Sequence, residues 1–178
     1  MSRVLGPSDY RRVAWKNGLG STLELAIDAL DWTWRLSIAD VPAAAPFSAF
    51  PGVDRFLACL EGPGLKISRA GKSVLVPSEG EALAFAGEEA VSGEPLGPGV
   101  RDVNLMLRRD RWRGRMHLTR GKPFTIAGDI LLVHAPASSE GARVEADSTV
   151  AVLPGSTLIG NGRVSLDGTA VVCALEPR

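Results

Sequence analysis

Residues able to do chemistry concentrate in one stretch, Trp15-Lys16-Asn17-Gly18-Leu19-Gly20-Ser21-Thr22-Leu23-Glu24, which gathers a ring, a cation, an amide, hydroxyls and a carboxylate. That density suits the binding of a small polar ligand. Asn17-Gly18 signals a turn, because both residues tolerate positive φ, and Gly20 leaves the backbone beside it open to close approach. From Ser21 to Ile27 the aliphatics Leu23, Leu25 and Ile27 alternate with Thr22, Glu24 and Ala26, so a strand sends Thr22 and Glu24 to one face. In a barrel that face points inward and Glu24 lies on a pocket floor. In an edge hairpin the same face is solvated, and the pattern allows both.

Two more segments carry a polar face opposite an apolar one. In Trp32 to Val41, Trp32, Trp34, Leu36 and Ile38 oppose Thr33, Arg35, Ser37 and Ala39; in Val100 to Arg109, Val103, Leu105 and Leu107 oppose Asp102, Asn104, Met106 and Arg108. The candidate acids or bases are Glu24, Asp40, Asp54 and Asp102. His117 and His134 stand apart, with no His-x-His and no Cys-x-x-Cys, so both are read as strand residues with satisfied rings rather than metal ligands. The chain has no Gly-x-x-x-x-Gly-Lys-Ser/Thr loop, no Gly-x-Gly-x-x-Gly fingerprint after a strand and no Gly-x-Ser-x-Gly elbow. Nucleotide and hydrolase chemistry therefore lacks its usual anchors.

The elements that must position these residues are short strands. The 20 Gly and 12 Pro leave most intervals too short for an ordinary helix. Ser21 to Val41 also matches helical spacing through Leu23, Ile27, Leu30, Trp34 and Ile38, but two strands joined by a turn at Asp28–Asp31 is the preferred reading. Pro42 to Gly52 is an ordered loop carrying Phe47 and Phe50. Strands are then expected at 55–60, 65–69, 73–76, 81–85, 90–92, 100–109, 116–120, 129–134, 150–153, 157–159, 163–166 and 169–175. Asn161-Gly162 and Asp167-Gly168 are read as hairpin turns. Such regular short strands imply an all-β sandwich or barrel.

Composition sets the class. With 178 residues the chain can bury roughly 70% of its unfolded surface. The 20 basic and 20 acidic residues cancel, which removes electrostatic grounds for a nucleic-acid or membrane partner. The Arg-rich stretch from Arg108 to Arg115 is interrupted by Asp110 and Trp112 and is read as a solvated, amphipathic edge. Cys59 and Cys173 lie in separate apolar runs, as small buried thiols do, which suits a reducing, cytoplasmic setting. No apolar segment is long enough for a membrane helix, and Met1 to Pro7 has no signal character.

Three segments taken together resemble the HutD/Ves family. They are the opening stretch 15–24; Trp34-Arg35-Leu36-Ser37-Ile38-Ala39-Asp40-Val41 with Pro46-Phe47-Ser48-Ala49-Phe50-Pro51-Gly52-Val53-Asp54-Arg55; and Asp102-Val103-Asn104-Leu105-Met106-Leu107-Arg108-Arg109. Order and spacing match through about Arg109, and the last third is similar only in being β-rich. The resemblance implies a bicupin, two small antiparallel jelly-roll barrels spanning 1–109 and 110–178 with strands exchanged between them. It also implies a role linked to histidine utilisation, by sensing urocanate or a formylated glutamate.

Metal-binding cupins use His-x-His, then Glu and a later His, and neither half supplies that set. No metal and no cofactor are therefore expected. The expected ligand is a small organic acid held by Trp15, Lys16, Asn17, Thr22, Glu24, Arg35, Ser37, Phe47, Asn104 and Met106. Arg35, Ser37, Asn104 and Met106 line the bowl, while Trp15, Lys16, Asn17 and Phe47 stand at its mouth. Arg55 and Asp54 are assigned to a structural pair that fixes the loop. A non-catalytic binder is preferred; the alternative is a metal-free isomerase or hydrolase in which Glu24 or Asp102 moves the proton. A homodimer paired through Phe47 and Phe50 is a third expectation.

Overall fold

The computed structural model describes residues 2–15, 20–146 and 149–178. In chain order the strands are β1 (Arg3–Leu5), β2 (Arg11–Ala14), β3 (Ser21–Ile27), β4 (Trp34–Asp40), β5 (Ala45–Pro46), β6 (Val53–Glu61), β7 (Leu65–Arg69), β8 (Lys72–Leu75) and β9 (Gly80–Glu81). They continue with β10 (Leu83–Ala86), β11 (Val91–Pro95), β12 (Arg101–Arg108), β13 (Trp112–Arg120), β14 (Phe124–His134), β15 (Ala142–Glu145), β16 (Thr149–Val152) and β17 (Thr157–Pro177). Among the described residues the one helical piece is a single 3-10 turn at Pro7–Asp9, too short and too polar to cross a membrane.

The strands form three sheets. One runs β10-β6-β12-β4-β3-β2, a second runs β5-β11-β7-β8, and the third runs β16-β15-β17-β13-β9 with β1 and β14 also bonded to β17. Alternation gives the first sheet two buried faces. Trp34, Leu36, Ile38, Val103, Leu105 and Leu107 pack against Met116, Leu118, Leu132, Val171 and Cys173 of the third sheet. On the opposite face Leu57, Cys59 and Phe85 meet Leu65, Ile67 and Val91 of the second. A separate aliphatic cluster that includes Leu131, Val133, Val144, Leu158 and Val164 fills the last third of the chain.

Strands β1 and β9, from the first 109 residues, bond to β17 and β13 in the sheet otherwise built from residues 112–177. A polar link reinforces the attachment of the first residues to β17. The Tyr10 hydroxyl donates to the Gly155 carbonyl at 2.9 Å and lies 2.8 Å from Thr157 Oγ1, itself 3.0 Å from Nδ1 of buried His134. Burial pushes the His134 imidazole down to about 4.

Asn161-Gly162 and Asp167-Gly168 lie inside one unbroken run of strand residues, β17. That run is not straight: Ile159 and Cys173 both pair with Leu132, and Leu158 and Val172 both pair with Val133, so the chain turns back between its two ends. Gly162 and Gly168 adopt the positive φ that the dipeptides signal, 89° and 113°, within that stretch, and pairing continues on either side of each. The three short strands expected between 157 and 175 are joined without a break in pairing. The strands β1, β2, β5 and β15 were not foreseen; β5 holds only two residues, and the β2 side chains are all exposed.

Candidate functional site

Cross-strand register decides which polar side chains meet. On β12, Met106 lies between Arg35 of β4 and Arg55 of β6, Asn104 between Ser37 and Leu57, and Asp102 between Ala39 and Cys59. Paired residues project to the same side of a sheet. Arg35, Ser37, Arg55, Asp102, Asn104 and Met106 therefore share the face turned toward the second sheet. β3 sets Glu24 beside Ser37 and Thr22 beside Ala39. A bulge between Glu24 and Ala26 then breaks the alternation, so that Leu25 and Ala26 both enter the core and Ile27 comes beside Arg35, contrary to the simple period-2 reading.

Two guanidinium groups dominate this face. Arg55 is 6% exposed, with Cζ 5.0 Å from the Phe47 ring centre, 5.1 Å from Phe85 and 5.8 Å from Phe50. Arg35 lies 5.2 Å from Trp32 and 5.8 Å from the same Phe50, and its Nη2 donates to Met106 Sδ at 3.0 Å. Phe50 is thus shared by both cations, whose attraction to ring faces helps to offset the loss of water.

The loop that delivers these rings is tied down. The amides of Phe47 and Phe50 donate to the carbonyls of Val91 and Gly87 at 2.8 Å each, and the Gly87 amide donates to Val53 at 2.7 Å. A Cβ at Gly93 would stand 2.8 Å from the Phe47 ring, and one at Gly87 would stand 2.5 Å from the Phe50 carbonyl oxygen. Neither approach tolerates a side chain.

Burial pushes the Arg55 guanidinium down to about 10, and it shifts Arg35 in the same direction, with Glu24 opposing. Both stay protonated at neutral pH. Burial pushes the Asp102 carboxyl up to about 7 against the pull of Arg55, with Asp40 adding to the rise. Glu24, 7% exposed, is neutralised from the sheet edge by Arg11, whose Nε and Nη2 both reach Oε1, at 3.1 and 3.0 Å. The face is therefore net positive.

Four buried polar atoms on it have no hydrogen-bond partner among the described residues: Nε of Arg35, Nε of Arg55, Oδ1 of Asp102 and Oδ1 of Asn104. Buried groups of this kind ordinarily are paired, and an unpaired one costs about 1–3 kcal/mol. The arrangement can bind an organic anion through charge-assisted hydrogen bonds.

Of the residues expected from sequence, Glu24, Arg35, Ser37, Asn104 and Met106 come together on this face, and Phe47 caps it through Arg55. Trp15 and Thr22 satisfy each other, Trp15 Nε1 donating to Thr22 Oγ1 at 2.9 Å while the indole rests on Gly20. Lys16 and Asn17, with the expected Asn17-Gly18 turn, lie outside the described residues. Asp40 sits at the rim, bound to Arg12 at 3.3 Å and Arg101 at 3.2 Å.

The expected pairing of Arg55 with Asp54 is corrected. Neighbours on a strand point to opposite faces, and Asp54 instead binds Arg109 at 2.7 Å and Arg178 at 3.7 Å. Arg55, Trp32 and Phe50 are the site residues that sequence reasoning missed. The signal for Arg55 was its shared parity with Leu57 and Cys59 on a strand read as buried.

Two open hollows lie elsewhere, against the third sheet. One of about 320 Å³ is lined by Glu81, Arg115 and by His117 stacked on Phe124 at 4.0 Å. The other, about 240 Å³, is lined mainly by aliphatic residues such as Leu131, Val133 and Val144. Neither reaches the polar face of the first sheet.

Known proteins agree with this architecture. The family model described as HutD matches residues 7–170. An uncharacterized 21.2 kDa protein in the hutC 3′ region of Pseudomonas putida is 36% identical over 144 residues, covering 78% of this chain and 76% of that one. Protein Ves of Citrobacter koseri is 31% identical over 118 residues, covering 64% and 61%. The structure of HutD from Pseudomonas fluorescens SBW25 superposes with a TM-score of 0.84 at 28% identity over the whole of both chains. A cupin 2 conserved barrel domain protein from Leptotrichia buccalis superposes at 0.57 with 9% identity over 93% and 92%, which identifies the fold as cupin-like.

Proposed function

Since the chain belongs to the HutD family, we propose that it binds a small carboxylate metabolite of histidine breakdown on the polar face of its first sheet, without transforming it. The family and the hutC-region relative tie the chain to histidine utilisation. Urocanate and formylated glutamate are the anions of that pathway to which the family resemblance points. The observation that carries the reading is the pair of guanidinium groups, Arg55 buried and Arg35 half-buried, each with a buried Nε that has no partner among the described residues and both held against Phe50. Two cations largely withdrawn from water on one face favour an anionic guest that supplies the missing acceptors. A reducing, cytoplasmic setting accords with Cys59 and Cys173, which are buried and free.

Thermal denaturation with urocanate or formylglutamate tests the reading. A ligand present at a hundred times its Kd adds about 2.7 kcal/mol, which for a chain of this size raises Tm by roughly 5–10 °C. No shift with either compound at millimolar concentration overturns the proposal. One observation favours a second, enzymatic reading: Asp102 is a buried carboxyl held near pH 7 on the same face, a value suited to moving a proton. Turnover of either compound, lost in Asp102→Asn while binding persists, would establish it.

A further inference from the structure

The four unpaired atoms are of two kinds, and their positions on the sheet separate them. The donors, Nε of Arg35 and Nε of Arg55, belong to residues that flank Met106 on the neighbouring strands. The acceptors, Oδ1 of Asn104 and Oδ1 of Asp102, belong to the next two inward positions along β12, each step being about 7 Å. A ligand made only of acceptors, such as a simple carboxylate or an inorganic anion, satisfies the guanidinium end and leaves the Asn104 carbonyl oxygen unpaired. That oxygen needs an N–H or O–H from its guest.

We infer that the ligand is a carboxylate that also carries a hydrogen-bond donor, an amide or ring N–H or a hydroxyl, several ångströms from the carboxylate, and that Asn104 is the residue that selects for it. The carboxylate lies over Met106 between the two arginines, and the donor meets Asn104. Ser37, beside Asn104, adapts to either polarity because its hydroxyl can donate or accept. This inference rests on the carboxylate reading above and adds a requirement that the reading alone does not make.

Two isosteric pairs test it by calorimetry. One is N-formylglutamate against 2-formyloxyglutarate, in which an ester oxygen replaces the amide N–H; the other is urocanate against its furan analogue. In at least one pair the N–H compound is expected to bind tenfold or more tightly, the scale of one buried unpaired acceptor. That ratio should fall to near one in Asn104→Leu. It should persist in Asn104→Asp, which keeps an acceptor at that position even though the added charge lowers affinity for both members. Equal binding within each pair to the wild-type chain removes the donor requirement and leaves the carboxylate site standing. No binding by any of the four compounds overturns both.

Discussion

Arg55 is a charge that the fold has taken out of water and set among three phenyl rings. Desolvating such a group generally costs more than its neighbours return, so replacing it with an apolar side chain of similar length need not weaken the fold. Arg55→Met is expected to leave Tm unchanged or raised while lowering carboxylate affinity about 10- to 100-fold, as loss of charged hydrogen bonds does. Calorimetry beside a melting curve separates the two effects. Asp102 carries a pH signature. Its carboxyl holds a proton up to about 7 in the fold against 3.8 ordinarily, so between roughly pH 4 and pH 7 the folded chain keeps a proton that the unfolded chain releases. Stability from this group is therefore greatest in acid and declines as pH rises through that window. His134, pushed down, contributes with the opposite sign. Comparing Asp102→Asn with the wild type by urea unfolding at pH 5 and pH 8 cancels His134, and the wild type should lose more stability on going to pH 8. At this scale the faces of Arg35, Ser37, Asn104 and Met106 were readable, because alternation assigns them. Arg55 was misread because adjacent opposite charges suggested a pair, although a strand turns Asp54 and Arg55 apart.

The 42–52 loop holds its place through backbone bonds to Val91 and Gly87 and through the pairing of β5 with β11. Gly93 sits on β11 directly beneath Phe47, and any side chain there moves the ring off Arg55. Gly93→Ala should cost about 1–3 kcal/mol, as overpacking does, and should also weaken carboxylate binding. A variant that loses stability with binding intact would show that Phe47 does not shape the site. Strand identity was largely legible from Gly and Pro spacing and from the apolar alternation of β4 and β12. The bulge in β3 was not, because nothing in Ser21–Ile27 marks where two residues will face one. The glycines of β17 were legible as places where its course changes, but the dipeptides could not show that pairing continues through them.

At the scale of the whole molecule, Phe50 separates two readings of the same loop. Its ring lies 5.8 Å from both guanidinium groups, so Phe50→Ser should reduce ligand affinity with no change of mass in solution. A drop in mass by light scattering would assign the loop to pairing of protomers instead. The division of the chain into halves was drawn from resemblance, and which strands cross it follows from register, which composition does not encode. The crossing of β1 and β9 has its own consequence. A chain cut at residue 109 would strip the later fragment of two staves and leave its rims bare. Neither piece is then a portable module. Grafting the arginine-bearing face onto another scaffold would require carrying the third sheet with it.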